Sequence, residues 1–414
     1  MDGNPQSLID LAAVRANVAA LRRHAGGREL MAVVKADGYG HGMAQVAAAA
    51  VAGGATWLAV SHAGEALDLR AAGLTVPLLV LMGAPGAPHQ AVIAAGADLG
   101  VGSMPVLAEI TAAARRAGRP ARLHLKADTG MSRGGATAAE WPALVGAALA
   151  AQAAGQAEIV GIWSHLACAD IPGHASVGAQ LAAFRAALEQ AERAGARPQV
   201  RHLANTPATL TLPDTWFDLI RPGGGVVGLA TLPDGAPPWL RPAMTVQAEI
   251  VQVKRVPAGS GVSYGHRYVT GRETTLALIP LGYYEGVPRA AGNTAQVLIG
   301  GRRRAISGTV CMNQIVVDVG DDPVREGDTA VLFGSGDAGE PTAQQWADAL
   351  GTLSYDIVTR FGDRLPRSYS GVTEGLPQAT AAAAGSGGAG QAAQPGGAGQ
   401  AAQPGSRPAG VPAG

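Results

Sequence analysis

Met31-Ala-Val-Val-Lys-Ala-Asp-Gly-Tyr-Gly-His-Gly42 decides more about this 414-residue chain than any other stretch. Its lead-in, Leu30 to Val34, is apolar without interruption, the pattern of a strand covered on both faces. The run ends in Lys35, and glycines follow at 38, 40 and 42 with Tyr39 among them. Burial at the mouth of an apolar strand disfavours an ammonium, so Lys35 is expected to have a lowered pKa. An amine of that kind can form a Schiff base with an aldehyde. Glycines let backbone approach a ligand closely, and a tyrosine hydroxyl can donate to a phosphate oxygen. Taken alone, the pattern also suits a surface lysine in a glycine-rich loop, because Lys is rarely buried.

The flanking sequence alternates strand-like and helix-like segments from residue 8 to about 236. Leu11, Val14, Val18 and Leu21 recur at helical spacing. Short apolar runs follow at Trp57–Val60, Leu78–Met82, Leu99–Val101, Ala121–Lys126, Ile159–Trp163, Val200–Leu203 and Phe217–Arg221. Most are separated by Ala-rich helical stretches such as Leu181–Ala194. With the Lys35 strand this makes about eight βα repeats, the arithmetic of a TIM barrel. Strand counting leaves a doubly wound open sheet as the competitor. The polar residues favour the barrel. Lys35, Lys126, His165, Asn205 and Arg221 each stand at or just past the C-terminal end of a different predicted strand, where barrel enzymes place their chemistry.

Near Pro237 the pattern turns strand-rich. Thr245–Val256, Thr274–Leu281, Gln296–Ile299, Ala305–Val319 and Thr329–Phe333 read as strands, with turns at Gly300-Gly301 and Gly320-Asp321-Asp322 and a helix at Gln344–Leu350. The expected fold class is α/β: an N-terminal (β/α)8 barrel over residues 8–236 and a C-terminal β-rich domain over 237–370. Residues 371–414 form a tail that from about Ala379 becomes mostly Ala, Gly, Gln and Pro, with Gly-Ala-Gly-Gln-Ala-Ala-Gln-Pro-Gly beginning at Gly388 and again at Gly397. Such a tail cannot bury a core and is expected to be disordered.

Bulk properties narrow the classes. The length allows two or three domains and a large core. Formal charge is zero, so no basic field points to nucleic acid, and there is no acidic tail. Cys168 and Cys311 are the only cysteines, too few for a secreted disulfide framework and without metal-type spacing. The polar start Met1-Asp-Gly-Asn-Pro-Gln lacks a basic apolar leader, and no run approaches a transmembrane span. A cytoplasmic protein that binds neither membrane nor nucleic acid is the expectation.

The segment around Lys35 resembles the cofactor-lysine motif of the alanine racemases, pyridoxal-phosphate enzymes with a barrel and a β domain. The likeness runs from about residue 7 to about residue 370. It implies that Lys35 holds pyridoxal 5'-phosphate and is the base on one face of the substrate α-carbon. The opposite base would be Tyr264, in Gly261-Val-Ser-Tyr-Gly-His-Arg-Tyr268, reaching the site of a partner subunit in a homodimer. Racemisation needs two such groups on opposite faces and an electron sink, which the cofactor supplies. Arg221, opening Arg-Pro-Gly-Gly-Gly-Val-Val-Gly228, would face the pyridine nitrogen and donate to it without protonating it. His165 would connect Arg221 to Tyr264. Tyr39, Thr206, the amides of Gly223 and Gly224, and Tyr355 would hold the phosphate, with Asn205 beside them. Arg133, in Lys126-Ala-Asp-Thr-Gly-Met-Ser-Arg133, and the Met312 amide would hold the substrate carboxylate. Lys126 matches a lysine that is carbamylated in some members.

Several positions depart from the family's usual pattern. Asn313 stands for Asp, Thr309 for a common Arg, Tyr284-Glu285 for Ala-Asp, Thr206-Pro207 for Ser and a small residue, and Gly224 and Val227 for Ile and Tyr. Tyr283, Arg289, Asp170 and Leu353 still match the access channel. The resemblance implies an alanine racemase supplying D-alanine for peptidoglycan. A racemase of serine or of broad specificity, and a pyridoxal-phosphate-binding barrel without turnover, remain alternatives. The barrel-plus-β decarboxylases usually carry an acidic residue where Arg221 stands.

Overall fold

Strand parity sorts the interior of the molecule. Met31 and Val33 join a small apolar cluster with Trp57, Ala59, Leu79, Val160, Val200 and Leu219. Their neighbours Leu30, Ala32, Val34, Leu58, Leu78 and Ile220 pack instead into the large cluster that contains the helices. The first set fills a barrel and the second lies between sheet and helices, as alternation along a strand demands. The computed structural model describes residues 3–371. Its eight parallel strands lie in the order Val200–His202, Ala157–Trp163, Ala121–Lys126, Asp98–Val101, Leu78–Val80, Trp57–Val60, Glu29–Val33, Leu219–Ile220. The two ends of that order meet. Asp218 N donates to Arg201 O at 3.2 Å and Arg221 N to Ala204 O at 2.9 Å, so the sheet is a nearly closed barrel rather than an open doubly wound one.

The helix Leu11–His24 shows how local sequence starts an element. Asp10 caps it by accepting from Ala12 N at 2.9 Å and Ala13 N at 3.1 Å. Arg22, Arg23 and His24 fill the last turn, where cations oppose the helix dipole favourably.

The C-terminal part is strand-rich, as expected. A six-stranded sheet runs Arg302–Ala305, Gln296–Ile299, Thr329–Phe333, Met244–Glu249, Gln6–Asp10, Arg367–Ser370. A three-stranded sheet holds Gln252–Val256, Thr274–Ile279 and Ile315–Gly320, and Gly261–Val262 pairs with Tyr268–Val269. Gly300 and Gly301, at φ 54° and 74°, close the hairpin between Gln296–Ile299 and Arg302–Ala305, where two left-handed residues match the strand twist.

Four expectations change. Gln6–Asp10 is not barrel: it pairs antiparallel with Met244–Glu249 and parallel with Arg367–Ser370, so one side of the six-stranded sheet is built from strands at both ends of the described chain. Thr245–Val256 divides into two strands in separate sheets. Ala305–Val319 divides into Arg302–Ala305 and Ile315–Gly320 around a loop that carries Met312. A helix not anticipated, Ser354–Phe361, carries Tyr355. The expected tail lies, from residue 372, outside the described residues. No described helix is long and apolar enough to cross a membrane.

Ile9, 0% exposed in the Gln6–Asp10 strand, tests whether that strand belongs to the core. Ile9→Ala is expected to lower unfolding stability by about 2–4 kcal/mol in denaturant titrations. A loss below roughly 0.5 kcal/mol would show a strand that merely rests on the sheet.

Candidate active site

The strand Glu29–Val33 does not lead into an ordinary turn. After Val34, Ala36, Asp37, Gly38 and Tyr39 take φ of 54°, 54°, 63° and 57°, and Gly40 takes 80°. This is one turn of left-handed helix. It costs non-glycine residues on the order of 1–2 kcal/mol each and must be held from outside. Glu65 Oε1 accepts from Ala36 N at 2.7 Å, and Asp37 Oδ1 accepts from Met43 N at 2.9 Å. Arg367, in the last described strand, pairs with the Asp37 carboxylate.

The turn delivers Tyr39 onto the glycine pair that follows Arg221. A Cβ on Gly223 would fall 2.0 Å from the Tyr39 hydroxyl, and one on Gly224 would fall 2.2 Å from Tyr355 Cε1. The two tyrosine rings meet edge to face at 5.6 Å. Thr206 Oγ1 accepts from Gly223 N at 3.0 Å and Gly225 N at 3.1 Å. Burial raises the pKa of Tyr39, and pushes that of Tyr355 up to about 12, so both hydroxyls stay protonated donors. Asn205 caps the helix Thr206–Thr211, its Oδ1 accepting from Ala208 N at 3.2 Å; its side chain thus positions Thr206.

Four cations gather at the barrel mouth. Burial lowers the pKa of Lys35, and the charges of Arg133 and Arg221 lower it further against the pull of Glu65. Burial brings Lys126 down to about 8, with Arg133 and Arg221 adding to the effect. Lys126 Nζ lies 4.6 Å from the centroid of the Trp163 ring, and Arg221 Cζ lies 4.8 Å from it. The chain contains only three lysines, at 35, 126 and 254, and uses arginine for nearly every other cation. Lysine can shift its pKa enough to lose a proton where arginine cannot. Two of the three lysines therefore stand where a neutral amine is attainable.

Arg221 is 3% exposed, and its bonds fix its neighbours. Its Nη1 lies 2.7 Å from His202 Nδ1, and its Nη2 donates to Ser164 O at 2.8 Å and lies 3.1 Å from His165 Nδ1. A guanidinium only donates, so His165 must accept at Nδ1 and carry its proton on Nε2. Burial, then Arg221, pushes the His165 pKa well down, keeping the ring neutral.

The structure thus brings together Lys35, Tyr39, Lys126, Arg133, His165, Thr206, Arg221, Gly223, Gly224 and Tyr355. Tyr264 and Met312 stand elsewhere, on strand-rich loops, 73% and 54% exposed. Those loops are tied to each other. Thr309 Oγ1 donates to Tyr264 O at 2.8 Å, and Ser263 Oγ donates to Thr309 O at 2.6 Å. Two of the unusual residues also meet: Asn313 Nδ2 donates to Glu285 Oε1 at 2.6 Å, while Glu285 Oε2 accepts from Gly282 N at 2.8 Å. Sequence reasoning missed Glu65, Asp37, Trp163 and His202. Only His202, two residues beyond the inward-facing Val200, could have been found by parity.

Residues 9–231 match the family model for the alanine racemase N-terminal domain, and residues 243–369 match that for its C-terminal domain. The alanine racemase of Thermobifida fusca is 57% identical over 371 residues, which cover 90% of this chain and 99% of that one. The solved alanine racemase of Streptomyces coelicolor A3(2) superposes with a TM-score of 0.88 at 52% identity, covering 89% of this chain and 98% of that one. The alanine racemase of Bartonella henselae, solved with covalently bound pyridoxal phosphate, superposes at 0.79 with 29% identity over 88% of this chain and 99% of that one.

Two measurements check this geometry. Asn313→Asp sets two carboxylates against each other and is expected to lose roughly 1 kcal/mol at neutral pH, restored by adding Glu285→Gln; an unchanged midpoint in denaturant would contradict the contact. Lys126 carries a folded pKa of about 8 against an ordinary value of 10.5, so the unfolded chain binds more protons between these values. Stability of the parent protein relative to Lys126→Met should therefore rise with pH across that window and be flat below it. A difference flat throughout would remove the burial assigned to this amine.

Proposed function

The chain belongs to the alanine racemase family and is an isomerase acting on alanine; from that premise we propose that it works with pyridoxal 5'-phosphate held at Lys35, in a homodimer whose second copy supplies Tyr264. The observation that carries this reading is the cradle at the barrel mouth. An amine of lowered pKa faces a guanidinium, and tyrosine hydroxyls pack where glycine Cβ atoms would otherwise stand. The donor set fits the cofactor: hydroxyls from Tyr39, Thr206 and Tyr355 and the backbone at Gly223 and Gly224 suit a phosphate, and Lys35 suits an aldehyde. Bound there, pyridoxal phosphate supplies the electron sink for the pair left at the α-carbon when a proton departs.

The protein's own groups do the rest. Lys35 is the covalent anchor, and its amine takes or returns the α-proton on one face. The Tyr264 hydroxyl does the same on the other face. Arg221 donates a hydrogen bond toward the ring nitrogen and cannot give up its proton, which restrains the sink and with it side reactions such as transamination. His165, with its proton on Nε2, is left able to donate toward the Tyr264 oxygen. Arg133 and the Met312 amide orient the substrate carboxylate. Because Tyr264 and Met312 are exposed on loops of their own, a second copy with twofold symmetry is the economical way to bring them to a Lys35. The two-domain division near residue 236, a cytoplasmic location and D-alanine supply to peptidoglycan complete the proposal.

Borohydride reduction of the cofactor-loaded protein is expected to fix one cofactor per chain at Lys35, and the three-lysine sequence makes the peptide assignment unambiguous. Labelling at Lys126 or Lys254 would contradict it. Lys35→Ala and Tyr264→Phe should each lose at least about a thousandfold in kcat for alanine racemisation, read by chiral chromatography. Refolding the two together should restore about a quarter of parent activity, because half the dimers then hold one intact site. No recovery on mixing would mean that each chain uses its own tyrosine.

A further inference from the structure

Parity places a row of polar side chains inside the barrel, below the site. Leu123 and Leu125 pack outward with the helices, so Arg122, His124 and Lys126 face inward. By the same alternation Asp98, His202 and Arg221 share that interior. Asp98 is 1% exposed and both histidines 0%. The strand Ala157–Trp163 makes room for one of them. Leu123 pairs with Ile159 but His124 pairs with Gly161, so Val160 is an extra residue in a bulge opposite the histidine. A Cβ on Gly161 would lie 2.2 Å from His124 Nδ1.

These groups form one continuous chain. Arg221 Nη1 lies 2.7 Å from His202 Nδ1, His202 Nε2 lies 3.0 Å from His124 Nδ1, and His124 Nε2 lies 3.1 Å from Asp98 Oδ2. Arg122 Nε donates to Asp98 Oδ1 at 2.8 Å, and Arg122 Nη1 to Glu158 at 3.1 Å, at the strand starts on the barrel floor. The rings are clamped by aromatics: Trp163 stacks on His202 at 5.7 Å, and Trp57 meets His124 edge-on at 5.5 Å.

Every proton in the chain then has one allowed place. Arg221 can only donate, so His202 accepts at Nδ1 and carries its proton on Nε2. That proton points at His124 Nδ1, which must accept, so His124 carries its proton on Nε2. This last proton is donated to Asp98, whose oxygens only accept when ionised. A second proton on either ring would set two donors head to head. We propose that this directional chain makes the Asp98 carboxylate the distant counter-charge of Arg221, and that Asp98, His124 and His202 are positioning residues for the guanidinium at the reaction centre. The chain spans the barrel from floor to mouth through two neutral rings, each bond polarising the next. It orients Arg221 from behind. This inference rests on the role given above to Arg221, but the proton positions do not.

Neutron diffraction of deuterium-exchanged crystals of the wild-type holoenzyme tests the proton assignment without any variant. Deuterons are expected on Nε2 and not on Nδ1 of both His124 and His202. A deuteron on Nδ1 of either ring would overturn the chain. Asp98→Asn then tests the positioning role by a split in kinetic constants. It should lower kcat for alanine about tenfold while KM stays within about twofold, since no member of the chain touches substrate. A variant that loses only thermal stability, with kcat unchanged, would reduce the chain to a core contact and overturn the proposal. Should Asp98→Asn fail to fold, His124→Asn keeps an acceptor for His202 and severs Asp98, with the same split expected. A wild-type enzyme that did not racemise alanine would sink the function proposed above and leave the neutron result standing.

Discussion

Keeping one guanidinium charged out of reach of water governs the centre of this molecule. A buried cation without partners costs several kcal/mol, so each Arg221 donor needs an acceptor. His202 Nδ1, His165 Nδ1 and Ser164 O take donors of its two terminal nitrogens, with the Trp163 ring alongside. The consequences spread in two directions. Because its neighbours must accept, the tautomers of the imidazoles around it are settled. Burial and the charge of Arg133 incline the two nearby lysines toward their neutral amines, and because Arg221 stays positive it adds to that effect. Proton inventory at the mouth of the barrel is therefore set first by burial, with two guanidinium groups that never exchange a proton adding to it.

The unusual residues around Tyr264 and Met312 gain meaning only in combination. Asn313 and Glu285 each look like an arbitrary change in the sequence, yet they share a hydrogen bond. Thr309, buried at 8% exposure, donates to the Tyr264 carbonyl and so helps fix the loop that bears Tyr264. Changes at these positions adjust how the loops hold one another, while Lys35, Tyr264 and Arg221 are kept.

The barrel was legible because its strands are short apolar runs with polar residues at their C-terminal ends, and Lys35, Lys126, His165, Asn205 and Arg221 mark those ends. What stayed hidden shares a physical cause, dependence on partners remote in sequence. Nothing local in Gln6–Asp10 says that it pairs with residues near 245 and 368. Ala36, Asp37 and Tyr39 carry no sign of left-handed backbone, because Glu65 and Arg367 impose it from elsewhere. The resemblance points to Tyr355 but not to its helix, since Ser354–Phe361 is short and follows another helix closely. The alternation Arg122-Leu-His-Leu-Lys126 reads as a strand with one wet face; only barrel closure turns that face into an interior.

The position of Gln6–Asp10 also bears on how the protein is made. Gln6 and Ser368, which share a hydrogen bond, are 362 residues apart, and Asp37 waits for Arg367. At ordinary elongation speeds the first strand leaves the ribosome about 20 to 70 seconds before its last partner. Throughout that interval the left-handed turn behind Lys35 lacks its arginine, and the edge of Gln6–Asp10 lies open. A chain released early, by a stop codon or a stalled ribosome, carries the Lys35 motif intact and lacks what shapes it. Completion of synthesis is thus built into the architecture as the condition for a finished site.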